Sequence, residues 1–227
     1  MTSPQESAHR GTAIIGSAYY PTLVAVFTGL VLISNVAATK GVMLGPLPTD
    51  GGFIVFPLTY IIGDVLSEVY GFKAASRAVV IGFAMQALAV LVLWTGVHLP
   101  AAADYANQDA FATMVESISG LAAAGLAGFL AGQLVNAALV VQIKQRTKER
   151  HLWARLLGST VVGQFADTLV FCAIAAPIIG FGNMSSFIAY AAVGWLYKTA
   201  VEALVLPVTY RVIAAIKRRE PTYQLAV

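Results

Sequence analysis

The chain has 227 residues, of which 58% are hydrophobic and only 11% are charged, and its mean hydropathy is +0.76. Soluble domains carry about 25% charged residues, so this composition excludes an ordinary soluble protein and indicates one integral membrane domain. The net charge of +3 comes from basic residues in short loops, without the aromatic-laced basic patch of a nucleic-acid-binding protein, and the single cysteine, Cys172, excludes an internal disulfide framework.

Six apolar runs are long enough to cross a bilayer, for which a helix needs about 20 residues. Their predicted limits are Tyr19–Ala38, Phe53–Tyr70, Ala78–His98, Ile118–Ile143, Leu156–Ile179 and Phe187–Ile213. We therefore predict an all-α integral membrane protein with six transmembrane helices over residues 19–215. An N-terminal tail over residues 1–18, with no cleaved signal peptide, and a basic C-terminal tail over residues 216–227 flank this domain.

The segment between the first two runs, residues 41–52, is rich in glycine and proline. It is too long for a tight turn. Three interpretations stay open for it: a loop, a small hairpin or a re-entrant segment.

The distribution of basic residues predicts the orientation. Most of the 14 Lys and Arg residues lie in the N-terminal tail, in the second and fourth loops and at the C-terminal end. The third loop, in contrast, carries Asp104, Asp109 and Glu116 without a basic residue. By the positive-inside rule both termini are cytoplasmic, which an even number of spans permits.

The second run carries two carboxylates, Asp64 and Glu68, which lie four residues apart and therefore share one face of a helix, with Tyr60 on or beside that face. A carboxylate in a spanning helix is unfavourable by about 2.5–3.5 kcal/mol on insertion scales, so it indicates a functional site. Two neighbouring carboxylates repel each other, which favours a proton, a cation or a hydrogen-bonding ligand beside one of them. Alternatively, Glu68 reaches the cytoplasmic water.

Polar residues also interrupt four of the other runs. They are Asn35 in the first, Gln133 and Asn136 in the fourth, Gln164, Asp167 and Thr168 in the fifth, and Lys198 and Glu202 in the sixth. The amides also have a purely structural interpretation as contacts between helices. Lys198 and Glu202 could likewise form a structural intrahelical ion pair. Their number nevertheless favours a polar chamber near the centre of the membrane.

Two features concern the packing of the helices. Gly128 and Gly132 permit close helix approach, either within the chain or in a homodimer. IIGDVLSEVY and VVGQFADTLV align on Gly63 and Gly163, which suggests two inverted three-helix repeats with a site at their interface.

The stretch PLTYIIGDVLSEVYG resembles the hallmark of the queuosine precursor transporter family, formerly called the vitamin uptake transporter family. The patches ISN, GQLVN, VGQFADTLVF and YKTAVEALVLPV extend the resemblance over about residues 19–215. The resemblance implies a multi-pass protein of the cell inner (plasma) membrane. It would import 7-deazaguanine bases, such as 7-cyano-7-deazaguanine or 7-aminomethyl-7-deazaguanine, for making the tRNA nucleoside queuosine.

The residues suit such a substrate. A guanine-like base presents an N–H and an amino group side by side, which one carboxylate accepts bidentately, while its carbonyl and ring nitrogens need donors. We expect Asp64 or Asp167 to hold this edge. The amides that would complete recognition are Gln164, Gln133 and Asn35.

The other charged residues would balance the net charge of the site. Glu68 or Glu202 would face the cation of an aminomethyl substrate or carry a proton, and Lys198 would offset the excess of acid.

Two other functional classes are alternatives to a self-sufficient carrier. An intramembrane aspartyl protease would use Asp64 and Asp167, but its Gly-x-Gly-Asp signature is absent, and the chain has no His-Glu-x-x-His motif. We therefore predict no enzyme, no cofactor and no metal site. The alternative to a self-sufficient carrier is a substrate-binding membrane subunit that takes up a vitamin or another nucleobase with an ATPase partner.

Overall fold

The computed structural model describes residue 13, residues 19–147 and residues 152–220, and the side chains of residues 136, 137 and 140–160 lie outside this description. Within these ranges the α-helices are α1 (Tyr19–Ala38), α2 (Phe56–Tyr70), α3 (Phe72–His98), α4 (Gln108–Thr147), α5 (Leu152–Ile178) and α6 (Met184–Arg219). Apart from Ala13, the predicted N-terminal tail lies outside the described residues, as does the end of the predicted C-terminal tail. Residues 216–219 of that tail continue α6.

Five helices in the described part of the chain are long and apolar enough to cross a membrane: α1, α3, α6 and stretches of α4 (Gln108–Val135) and α5 (Val161–Ile178). Large apolar side chains are exposed on them, such as Leu134 (71%) and Leu204 (76%). In water such exposure would be unfavourable, whereas lipid tails accept it. The prediction of an integral membrane protein is confirmed.

The second predicted span differs from its expected form. A 3-10 turn occupies Gly51–Ile54, and α2 begins only at Phe56, with a proline in its first turn. At 1.5 Å per residue its 15 residues extend about 22 Å, less than the ~30 Å of a bilayer core. The count of six spans and the positions of the termini stay predictions.

The described residues form two compact units, and the first comprises residue 13 and residues 19–34, 54–86 and 201–220. Its core includes Val65, Leu66 and Val69 of α2, each no more than 1% exposed. The hydroxyl of Tyr20 donates to the backbone oxygen of Ala74 over 3.0 Å. The apolar side of α2 therefore packs on neighbouring helices.

The second unit comprises residues 35–53, 87–147 and 152–200, and close approach of α4 and α5 marks its core. A Cβ atom on Gly128 would lie 2.8 Å from the backbone oxygen of Asp167. One on Gly132 would lie 3.0 Å from the backbone oxygen of Gly163 and 2.8 Å from Cβ of Asp167. The two glycines of α4 thus serve packing within the chain, and the homodimer stays a prediction.

Residues 41–50 form an antiparallel hairpin of β1 (Gly41–Leu44) and β2 (Leu47–Asp50), with Gly41 opposite Asp50. The hairpin is the one of the three interpretations that the structure confirms. A side chain on Gly41 would collide with the backbone oxygen of Ile179 at the end of α5, and one on Gly51 with that of Ala37 in α1. The hairpin is therefore fixed tightly against two helix ends of its unit.

The two units do not coincide with the two three-helix halves of the predicted inverted repeat. The first unit combines α1, α2 and the start of α3 with the end of α6. The repeat stays a prediction.

Candidate functional site

A charged pair joins α5 and α6 in the second unit. Lys198 Nζ lies 2.7 Å from Asp167 Oδ2, and the two side chains are only 11% and 28% exposed. Nζ also lies 5.7 Å from the centre of the Phe171 ring. An ion pair removed from water is tolerated when its partners satisfy each other, and removal of one partner typically costs about 3–5 kcal/mol. The intrahelical pairing of Lys198 with Glu202 stays a prediction.

Polar side chains adjoin this pair on the same two helices. Thr199 Oγ1 donates to the backbone oxygen of Trp195 over 2.9 Å and lies 3.3 Å from Gln164 Oε1. Thr168 is 2% exposed, and its hydroxyl has no hydrogen-bond partner among the described residues. A buried hydroxyl without a partner costs about 1–3 kcal/mol, so this position offers an unused donor and acceptor.

The face of α5 that carries the predicted cluster meets α6. Gln164 and Asp167 both have partners on α6, and a Cβ atom on Gly194 of α6 would lie 3.4 Å from the Thr168 methyl group. The residues Gln164, Asp167 and Thr168 were predicted to share one face, and the structure brings them together. Their part in substrate binding stays a prediction.

Aromatic side chains lie on the same two helices. The rings of Phe165 and Trp195 meet edge to face, with centroids 5.7 Å apart. The indole N–H donates to the backbone oxygen of Val161 over 3.3 Å, which fixes the ring. A fixed ring of this kind offers a flat face on which a planar base can stack.

The second unit also holds a buried carboxylate, Asp50 at the end of β2, which the sequence did not single out. Its Oδ1 accepts the backbone N–H of Gly52 over 2.9 Å, and its Oδ2 accepts the hydroxyl of Tyr190, which is 2% exposed. Burial raises the pKa of the Asp50 carboxyl, an effect that outweighs these hydrogen bonds and the positive charge of Lys198.

The 3-10 turn is held to α6 by a second tyrosine, which the sequence analysis also missed. The hydroxyl of Tyr197 donates to the backbone oxygen of Phe53 over 2.8 Å, and the two rings meet edge to face at 6.0 Å. A tyrosine in an apolar run is typical of ordinary packing, so the sequence offered no signal for this contact.

In the first unit, Asp64 is half-buried on α2, and the charge of Glu202 on α6 acts on it. Tyr60, one turn earlier on α2, is also half-buried. Two like charges that act on each other favour a proton or a cation close to one of them. The structure therefore places two of the predicted acids in one electrostatic environment.

Glu68 is placed differently. Its side chain is 59% exposed, and Oε1 lies 2.7 Å from Nζ of Lys217. Exposed pairs of this kind contribute about 0–1 kcal/mol. This exposure favours the alternative in which Glu68 reaches water.

The remaining predicted residues are less closely tied to the cluster. Asn35 is half-buried on α1, and Gln133 is exposed on α4. Neighbouring helix positions point about 100° apart, so Gln133 lies off the line on which Gly132 meets α5. The side chain of Asn136 lies outside the described residues. In the described ranges, no group of three or more His, Cys, Asp or Glu residues is placed to hold a metal ion.

The chain is similar to known transporters. The model of a family described as "Putative vitamin uptake transporter" matches residues 50–212. A protein of Bacillus subtilis (strain 168) named "Probable queuosine precursor transporter" is 30% identical over 180 residues, which cover 78% of this chain and 77% of the relative. No solved structure matches the chain.

Proposed function

Since the chain belongs to the vitamin uptake transporter family, it is a membrane transporter, and we propose that it imports queuosine precursors into the cytoplasm. The substrates are 7-deazaguanine bases such as 7-cyano-7-deazaguanine or 7-aminomethyl-7-deazaguanine. The name of the B. subtilis relative supports this substrate class. The observation that carries the proposal is the pairing of Asp167 with Lys198 between two apolar helices.

The edge of a guanine-like base is complementary to this ion pair. The carboxylate of Asp167 accepts the ring N–H and the exocyclic amino group, while the ammonium of Lys198, which has only donors, serves the neighbouring carbonyl oxygen. A base that inserts its edge between the two charged groups replaces the direct contact with equivalent hydrogen bonds. Neither charge is then left unpaired, which is why binding does not carry the penalty of a broken buried pair.

The neighbours of the ion pair fit the rest of the base. The buried hydroxyl of Thr168 supplies a further hydrogen-bonding group, and Gln164 supplies an amide. The ring of Trp195 provides a flat surface for stacking.

Asp64 and Glu202 have a separate role in this proposal. Their carboxylates favour a positive charge, either the ammonium of an aminomethyl base or a proton. The distribution of Lys and Arg supports an orientation with both termini in the cytoplasm. The family match supports a location in the cell inner membrane.

The test uses purified full-length protein in liposomes and labelled 7-cyano-7-deazaguanine, with guanine as competitor. We expect uptake without added ATP or a partner protein. Asp167→Asn is expected to abolish uptake, while Asp104→Asn, a matched change in an exposed loop, keeps it.

Two results would contradict the proposal. Binding without transport would favour a subunit that needs an ATPase partner. Neither binding nor uptake of any 7-deazaguanine would refute the substrate class.

A further inference from the structure

Asp50 differs from Asp167 and Glu68 in the nature of its partners. Asp167 and Glu68 each form an ion pair with a lysine ammonium, Lys198 and Lys217 respectively. The hydrogen-bond partners of Asp50 are neutral: the backbone N–H of Gly52 and the hydroxyl of Tyr190.

These neutral partners satisfy both protonation states. A tyrosine hydroxyl can donate or accept. When Asp50 is ionised, the hydroxyl of Tyr190 donates to Oδ2. When Oδ2 carries a proton, it donates to the Tyr190 oxygen, and Oδ1 still accepts the N–H of Gly52. Asp50 can therefore gain and lose a proton without leaving a buried group unpaired.

Around Asp50, the described side chains carry more negative than positive charge. The positive charge of Lys198 on α6 interacts electrostatically with Asp50. Cys172 on α5 interacts electrostatically with Asp50, Lys198 and Asp167, so these three charges lie in one region of the second unit. Among the side chains that the structure describes there, two carboxylates, Asp50 and Asp167, thus share the ammonium of Lys198. Lys40, whose backbone oxygen accepts the N–H of Gly51 over 3.0 Å, has an exposed side chain. One bound proton would make the total charge of Asp50, Asp167 and Lys198 zero, and an environment without water favours a neutral set of groups.

We propose that Asp50 is a proton-binding site and that each imported base is accompanied by a proton carried on this carboxyl group. The inference rests on the proposed uptake of 7-deazaguanine bases. A proton from the outer water forms the O–H bond of the Asp50 carboxylic acid, and the same bond breaks when the proton passes to the cytoplasmic water. The base itself is chemically unchanged.

Lys198 couples binding of the base to protonation of Asp50. Its positive charge opposes protonation of Asp50, because it favours the carboxylate. When a base accepts a hydrogen bond from Lys198, the ammonium is drawn toward the base, and Asp50 binds a proton more readily. By thermodynamic reciprocity, protonation of Asp50 strengthens the binding of the base.

The experiment measures accumulation of labelled 7-cyano-7-deazaguanine in proteoliposomes with an inward proton gradient. One proton per base predicts about tenfold accumulation per pH unit of gradient, abolished by a protonophore. Asp50→Asn is expected to exchange the base across the membrane but to bring it only to equal concentrations. Asp104→Asn serves as the matched control and should accumulate the base as the wild type does.

An infrared titration keeps the proposal testable without transport. The carboxylic acid band of the detergent-solubilised protein should contain a component that is absent from Asp50→Asn. Tyr190→Phe removes a hydrogen bond that favours the carboxylate, so it should move the midpoint of this band to higher pH.

Three outcomes would overturn the proton site: equilibration of the base by the wild type without response to the gradient, full accumulation by Asp50→Asn, or an infrared spectrum without an Asp50 component. A wild-type protein that shows the Asp50 band but carries no 7-deazaguanine would refute the proposed substrate and leave the proton site standing.

Discussion

Lys198 Nζ and Asp167 Oδ2 lie 2.7 Å apart on two neighbouring apolar helices, although the residues are separated by 31 positions in the chain. An acceptor and a donor held side by side in a dry environment match the edge of a guanine-like base. The same pair stabilises the second unit, because each charge offsets the burial of the other.

Removal of one partner should therefore cost stability as well as uptake. We expect Asp167→Asn to lower the free energy of unfolding by about 3–5 kcal/mol, because Lys198 is left buried without its carboxylate. The double variant Asp167→Asn with Lys198→Met should regain most of this stability and still fail to take up the base. Thermal unfolding in detergent and liposome uptake measure the two effects. A double variant that transports would remove the pair from the binding site.

The second prediction compares substitutions of Asp64 and Glu68, which lie one helical turn apart on α2 and differ in exposure. Asp64→Asn should abolish uptake while the protein still inserts, because it removes a half-buried charge that interacts with Glu202. Glu68→Gln loses an exposed pair worth about 0–1 kcal/mol and should keep most of the uptake. Membrane insertion is checked by detergent extraction and size-exclusion chromatography. Equal uptake by both variants would contradict this assignment.

The glycines of α4 allow a third prediction. Gly128→Ala would place a methyl group 2.8 Å from the backbone oxygen of Asp167, so α4 and α5 must separate, at a cost of about 1–3 kcal/mol. Gly125→Ala meets no atom within 4 Å and should gain about 0.5–1 kcal/mol from the higher helix propensity of alanine. Melting temperatures of the two variants in detergent should move in opposite directions. A stabilising Gly128→Ala would show that the helices are not in close contact there.

The fourth prediction concerns pH. Burial raises the pKa of Asp50 above its unfolded value of 3.8, so the folded protein binds more protons than the unfolded chain between these two values. The contribution of Asp50 to stability is therefore complete below the unfolded pKa and falls as pH rises through the raised pKa. The melting temperature of Asp50→Asn relative to the wild type should increase with pH across this window. A constant difference would mean that Asp50 has the same pKa in both states.

The sequence predicted the elements that depend on local composition. The limits of α1, Tyr19–Ala38, agree with the structure, because hydropathy locates a long, predominantly apolar helix that ends before the polar Thr39 and Lys40. The start of α2 was predicted three residues too early, since hydropathy does not distinguish the apolar Phe53 and Ile54 of a 3-10 turn from the helix that follows.

The candidate site was predictable only in part. Gln164, Asp167 and Thr168 were identifiable because helical spacing places polar residues of an apolar run on one face. Asp50 was not identifiable, since an Asp beside two glycines is typical of a turn, and its partner Tyr190 lies 140 residues away. Sequence periodicity carries no information about contacts of such separation.

The bond between Asp50 and Tyr190 also imposes an order on biosynthesis. Asp50 leaves the ribosome long before Tyr190. The β1–β2 hairpin is therefore made and reaches the bilayer while the Asp50 carboxylate still lacks its hydrogen bond from the Tyr190 hydroxyl. The contact forms only when α6, which carries Tyr190, has been synthesised. A nascent chain arrested before residue 190 should therefore leave the hairpin open to protease, and release of the arrest should protect it.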